Sequence, residues 1–211
     1  MTARDEVMTR IRSALAGQPV LGVVPREYRM AGDDAPGTEA VLELFVDRLV
    51  DYKASVNRTG PLGLAAAIAS VLQRDDSVVV PPELPVAWRG ACAGNGRRVS
   101  VDGDPSWLSA AELDATAAVV TACRVGIAET GTIVLDSAPD QGRRALTLVP
   151  DHHVVVIFAE QVVMSVPESL TRLEPVRPLT FISGPSATSD IEFTRVEGVH
   201  GPRILDVIVV E

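Results

Sequence analysis

Two short runs, Val78-Val79-Val80 and Val154-Val155-Val156-Ile157, are apolar at every position instead of every second one. Strands of that kind need cover on both faces, which a parallel sheet between helix layers supplies and a sheet with one wet face does not. The fold class this predicts is α/β, a mostly parallel sheet flanked by helices. Composition agrees: 46% of residues are hydrophobic but only 4% aromatic, so the interior is expected to consist of close-packed aliphatic layers.

Periodicity places the remaining elements. Val41, Leu42, Phe45 and Leu49 recur at helical spacing, Tyr52 to Val56 reads as a strand, and an Ala-rich helix runs from Leu62 to Leu72 after Gly60-Pro61. Further strands are expected at Ser77 to Val80, Arg98 to Val101, Ala117 to Ala122, Thr132 to Leu135, Val154 to Phe158, Leu179 to Ile182 and Ile204 to Val209. Helices are expected near Ser109 to Leu113 and Val166 to Leu173, and the segments Pro81 to Pro85 and Pro139 to Arg144 read as exposed loops. No internal repeat is visible.

Upstream, Val7, Met8, Ile11 and Leu15 form one apolar stripe on a charged helix, followed by the breakers Gly17, Pro19, Gly22, Pro25, Gly32, Pro36 and Gly37. The expected organisation is an N-terminal helix-and-loop arm over residues 1–37 and one domain over 38–211.

The formal charge of −9 repels nucleic acid and anionic membranes, and no Lys/Arg-rich run offsets it. Neither a signal peptide nor an apolar run of the ~18 residues a membrane span needs is present, so a cytoplasmic protein without a membrane span is expected. The two cysteines, Cys92 and Cys123, form no CxxC pair and are too few to hold an iron–sulfur cluster. No cofactor bound by this chain is expected.

Two hydroxyl-rich glycine turns each follow an apolar β-like run: Gly126-Ile127-Ala128-Glu129-Thr130-Gly131-Thr132, and Ile182 to Asp190 with Ser183, Gly184 and Ser186. In a parallel α/β sheet such turns, at the carboxyl ends of strands, offer N–H groups and hydroxyls to an anion. Glu129 is the one carboxylate between Ala122 and Leu135. It either meets ligand as base or nucleophile, with Thr130, Gly131 and Thr132 as donors, or it caps a local backbone turn. Ser189 and Glu192 have capping-box spacing, which predicts a brief helix whose donors bind an anion or are merely capped.

Arg124, Arg143, Arg144 and Arg203 flank these turns, and any of them can grip a carboxylate or phosphate through two hydrogen bonds. His152, His153 and His200 show no metal-ligand spacing, so they read as solvated or backbone-bonded and no metal site is expected. GxSxG, GxxxxGK[ST] and GxGxxG are all absent, which removes support for serine hydrolases, P-loop nucleotidases and the usual nicotinamide enzymes.

Taken together, Gly126 to Leu135 (GIAETGTIVL), Leu148 to His153 (LVPDHH) and Ile182 to Pro202 (ISGPSATSDIEFTRVEGVHGP) resemble the lactate utilisation protein C family, whose members share the LUD domain. The resemblance runs from the arm (RDEVMTRIRSAL) to the final strand. It implies a NagB/RpiA/CoA-transferase-like fold with its site where the two turns meet. It also implies a role in bacterial oxidation of L-lactate to pyruvate, beside partner proteins that carry the iron–sulfur clusters.

Two readings of that resemblance differ in class. In one, the chain is a non-redox accessory subunit that binds a small anionic metabolite at Thr130, Gly131, Thr132, Ser183, Gly184, Ser186 and Arg124. In the other it is a free-standing enzyme of the CoA-transferase or sugar-phosphate isomerase type, with Glu129 as catalytic nucleophile or base. A blander third reading makes it a scaffold, its arm docked on partners or on its own core.

Overall fold

Valine-rich runs become strands because branched side chains pack well on a pleated surface buried on both sides. A computed structural model of the protein describes residues 2–16, 25–27, 31–188, 196–197 and 201–211. In chain order the first elements are α1 (Ala3–Leu15), α2 (Glu39–Asp51), β1 (Ser55–Thr59), α3 (Leu64–Val71), β2 (Ser77–Val80), α4 (Val86–Cys92) and β3 (Arg98–Val101). Then come α5 (Ala110–Asp114), β4 (Ala118–Thr121), β5 (Val125–Ile127), β6 (Thr132–Leu135), β7 (His152–Phe158), β8 (Val162–Val163) and α6 (Val166–Leu170). Four strands follow: β9 (Thr180–Ile182), β10 (Ala187–Thr188), β11 (Val196–Glu197) and β12 (Ile204–Val210).

The principal sheet has six strands in the order β1-β12-β7-β4-β2-β3, and every pair in it is parallel. On one face Val78, Val80, Val154, Val156, Ile208 and Val210 pack under α3 and α4 through Leu64, Ile68, Leu72 and Trp88. On the other, Val155, Ile157, Val207 and Val209 pack under Val41, Leu42, Phe45 and Leu49 of α2 and under Ile133 and Leu135 of β6. Val79 and Val119 meet Leu113 of α5 and Leu146. Both faces are dry, which is why these runs do not alternate.

A second sheet, β8-β5-β6-β9, was not anticipated as a separate layer. It is mixed: β5 with β6 and β6 with β9 are antiparallel, while β5 with β8 is parallel. Gly126 in β5 lets this layer close on the core, since a Cβ there would meet Ile157 Cδ1 at 2.6 Å and Phe45 Cζ at 2.9 Å.

Three other expectations shift. The strand expected at Tyr52 to Val56 starts at Ser55, because α2 runs to Asp51 with Tyr52 as its cap and Lys53 takes a left-handed φ of 70°. Helix α4 fills the ground just after Pro81 to Pro85, and the helix from Val166 stops at Leu170. Helix α1 is capped by reciprocal Thr2 and Asp5 hydrogen bonds and buries none of its residues. Among the described residues no helix is long and apolar enough to cross a membrane. The Ser189–Glu192 capping box and His200 lie outside the described residues.

Candidate functional site

Strand order reverses where β2 adjoins β4, and in an open α/β sheet a ligand crevice opens outside the carboxyl ends at such a point. Here the chain's own loop over residues 136–142 covers it. Glu83 N–H donates to Pro139 O at 3.3 Å and Ala122 N–H to Asp140 O at 3.2 Å. Gln141 Oε1 accepts from Asp136 N–H at 2.7 Å. A cavity opens instead at the amino ends of β7 and β12.

The two glycine turns do meet, but through the mixed sheet and not at carboxyl ends of the parallel one. Antiparallel pairing sets Ile133 opposite Ile182, which brings Thr132 Oγ1 to 2.8 Å from Ser183 Oγ. Thr130 Oγ1 lies 2.7 Å from Thr132 Oγ1, extending the chain of hydroxyls. The glycines let the turns press on the end of α2. A Cβ on Gly131, φ 55°, would sit 2.7 Å from Arg48 Cβ, and one on Gly184, φ 85°, would sit 2.6 Å from Tyr52 O. Their freedom from a side chain serves packing here.

The cavity measures about 280 Å³ and is lined by Ser183, Gly184 and Ser186 of the second turn together with Arg144, Thr147 and His153. Ile182, Pro185, Pro202 and Leu205 add apolar residues to its lining. Glu129, Thr130 and Gly131 are not among its lining residues, and Thr132 reaches it only through Ser183. Glu129 is exposed, and its backbone N–H donates to Met164 O at 3.0 Å. Arg124, at the far end of the β5–β6 hairpin, turns its Nε to Arg172 O at 3.0 Å.

Of the other flanking arginines, Arg143 is committed to buried Asp102, with Nε and Nη2 donating at 2.7 and 2.9 Å, and Arg203 pairs with Asp151. Arg144 differs. Its Nη1 donates to Thr147 O at 2.8 Å and to Thr147 Oγ1 at 3.0 Å. Nε and Nη2 have no partner among the described residues, which leaves two parallel donors for an anion.

His153 and Thr147 are the residues that sequence reasoning missed. His153 is 1% exposed, and its Nε2 lies 2.8 Å from Thr121 Oγ1. Burial, reinforced by the positive charges of His152 and Arg144, pushes its pKa down to about 3, so the ring is neutral. His152 points to the opposite face, where Nδ1 meets Asp75 at 2.9 Å and Nε2 meets Asp206 at 2.7 Å. Burial opposes its charge, but the bonds to Asp206 and Asp75 outweigh it and raise the pKa to about 9. Neither histidine is solvated, contrary to the sequence expectation; the signal lay in their position at the head of a fully buried run.

Among the described residues no group of three or more His, Cys, Asp or Glu side chains is placed to hold a metal ion. Cys92 and Cys123 are both buried, in clusters on opposite faces of the parallel sheet. Burial raises both thiols, Cys92 to about 11 and Cys123 further, with Asp140 and Asp136 adding to it.

Onto this parallel six-stranded α/β core with its stacked mixed sheet, the LUD domain family model matches residues 109–210. Over 213 aligned residues the chain is 44% identical to Lactate utilization protein C of Deinococcus radiodurans, covering 99% of this chain and 95% of that protein. The chain belongs to the lactate utilization protein C family. It is 40% identical to the Bacillus pumilus protein of the same name over 84 residues, 36% of this chain and 35% of that one. A crystal structure of a DUF162 family protein from D. radiodurans matches with a TM-score of 0.69 at 42% identity, covering 82% of this chain and 97% of that chain.

Proposed function

We propose that the chain is a non-redox component of a bacterial system that oxidises L-lactate to pyruvate, and that it binds a carboxylate metabolite in the Arg144 cavity. Partner proteins carry the iron–sulfur clusters and the electron transfer in this reading. The lactate utilization names of its relatives support the process.

The observation that carries the binding role is Arg144, whose Nε and Nη2 have no partner among the described residues, beside the Ser183 turn and neutral His153. If Thr121 O–H donates to His153 Nε2, the ring keeps its proton on Nδ1 and adds no charge to the site. Glu129 stands outside the cavity, so this reading routes no chemistry through it.

The test has a cellular and a purified arm. Deleting the gene is expected to abolish growth on L-lactate, and the intact protein to restore it while Arg144→Gln does not. In the purified protein, small carboxylates are expected to raise the melting temperature, and Arg144→Gln to cancel that rise when each variant is compared with its own ligand-free value. Undiminished growth of the deletion strain rejects the metabolic role; a melting rise indifferent to Arg144 rejects the site.

A further inference from the structure

Four buried side-chain atoms among the described residues have no hydrogen-bond partner, and two of them, Asp136 Oδ1 and Asp140 Oδ1, are carboxylate oxygens of the loop over residues 136–142. That loop covers the crevice where strand order reverses, at the carboxyl ends of the parallel strands, whereas the Arg144 cavity lies at the amino ends of β7 and β12. The loop folds back on itself. Gln141 and Gly142 N–H both donate to Ala138 O, at 2.8 and 3.0 Å, and Gln141 Oε1 accepts from Asp136 N–H at 2.7 Å. The chain thus returns to Asp136 one residue after Asp140.

Charge makes these oxygens more than a matter of missing hydrogen bonds. The Asp136 side chain is only 6% exposed and meets Arg177, but Nε of that arginine stands 3.4 Å from Oδ2 and makes its shorter bond, 2.8 Å, to the Asp136 backbone oxygen. Burial, then the charges of Asp136 and Glu83, push the Asp140 pKa above the ordinary carboxylate value, and Arg124 offsets this only in part. A bridging water satisfies two orphan acceptors yet leaves the buried negative charges standing. A cation answers both demands.

We propose that Asp136 and Asp140 bind a divalent cation through their Oδ1 atoms, and that the ion fastens the loop over the crevice. Two carboxylate oxygens with water at the remaining positions suit Mg²⁺ or Mn²⁺, which are held by few protein ligands, better than Ca²⁺, which takes more oxygens. The lack of any larger group of ligating side chains among the described residues agrees with that choice. Nearby Cys123 turns its thiol to Val156 O, so the donors are oxygen alone. This site is independent of the Arg144 cavity, and neither reading depends on the other.

Water-proton relaxation with Mn²⁺ on the purified full chain tests this, alongside thermal unfolding in MgCl₂ and in KCl of matched ionic strength. One Mn²⁺ per chain is expected, displaced by Mg²⁺. At about a hundredfold excess over its dissociation constant, Mg²⁺ should raise the melting temperature by roughly 5 °C. Asp136→Asn and Asp140→Asn should each weaken Mn²⁺ binding by roughly tenfold or more, while Asp114→Asn, at an exposed acid of α5, leaves it unchanged. Asparagine keeps the shape of aspartate, and each variant's melting shift is read against its own metal-free midpoint. Mn²⁺ binding that both loop variants retain overturns the proposal, as does a melting rise that KCl reproduces. A wild-type chain that binds no Mn²⁺, with an Asp140→Asn variant that melts higher than it, shows that a proton or water takes the place of the ion and also overturns it.

Discussion

At the scale of single residues, two adjacent histidines have been driven to opposite protonation states by the period of the strand they begin. Successive side chains of a strand point to opposite faces, so His152 enters a cleft with Asp75 and Asp206 and His153 enters the core beside Thr121. An unfolded histidine titrates near 6.5, whereas folded His152 holds its proton to about 9. The stability it contributes is complete below pH 6.5 and lost as the pH climbs through about 9, on the order of 3 kcal/mol. Folded His153 refuses a proton until about pH 3, so its linkage lowers stability as the pH falls below 6.5. Urea unfolding followed against pH is expected to show a maximum near neutrality, with His152→Gln flattening the alkaline limb. An unchanged alkaline limb in that variant removes the clamp as its cause. The sequence concealed all this because it marked the buried run from Val154, whereas the strand begins two residues earlier, at His152.

At the scale of elements, the uniform valine runs predicted their own burial, and β2, β3 and β6 fall within the bounds read from the chain. What hid the second sheet was Gly126, which weakens the strand signal of Val125–Ile127 and is required there because two side chains already fill the space of a Cβ. Gly126→Ala is expected to cost about 1–3 kcal/mol through overpacking against Ile157 and Phe45, read as a lower denaturation midpoint. At Gly184 the penalty has a different origin: a Cβ would face Tyr52 O at 2.6 Å on a backbone with φ 85°. Gly184→Ala should therefore disturb the Ser183 turn and weaken carboxylate binding as well as stability. The convergence of the two turns was legible as a pattern of glycines and hydroxyls. The side of it that opens onto a cavity was not, since Arg144, Thr147 and His153 arrive from elements whose placement only the sheet order determines.

At the scale of the whole molecule, helix α1 buries none of its residues and exposes Val7, Met8, Ile11 and Leu15. Removing residues 1–16 is expected to leave the thermal midpoint and carboxylate binding unchanged, and a drop in either shows that the arm supports the core. The order of the six parallel strands was beyond periodicity, because nothing local in a valine run says which other run it will adjoin. That order has one consequence for biosynthesis. Strand β12 is later in the sequence than every other strand, yet it lies between β1 and β7, one place in from the sheet's edge. A ribosome that has delivered everything up to Pro202 has made both flanks and left a strand-wide gap with two open edges. Until β12 emerges, β1 has no partner in the sheet and β7 keeps an open edge, so the sheet is completed by its latest strand.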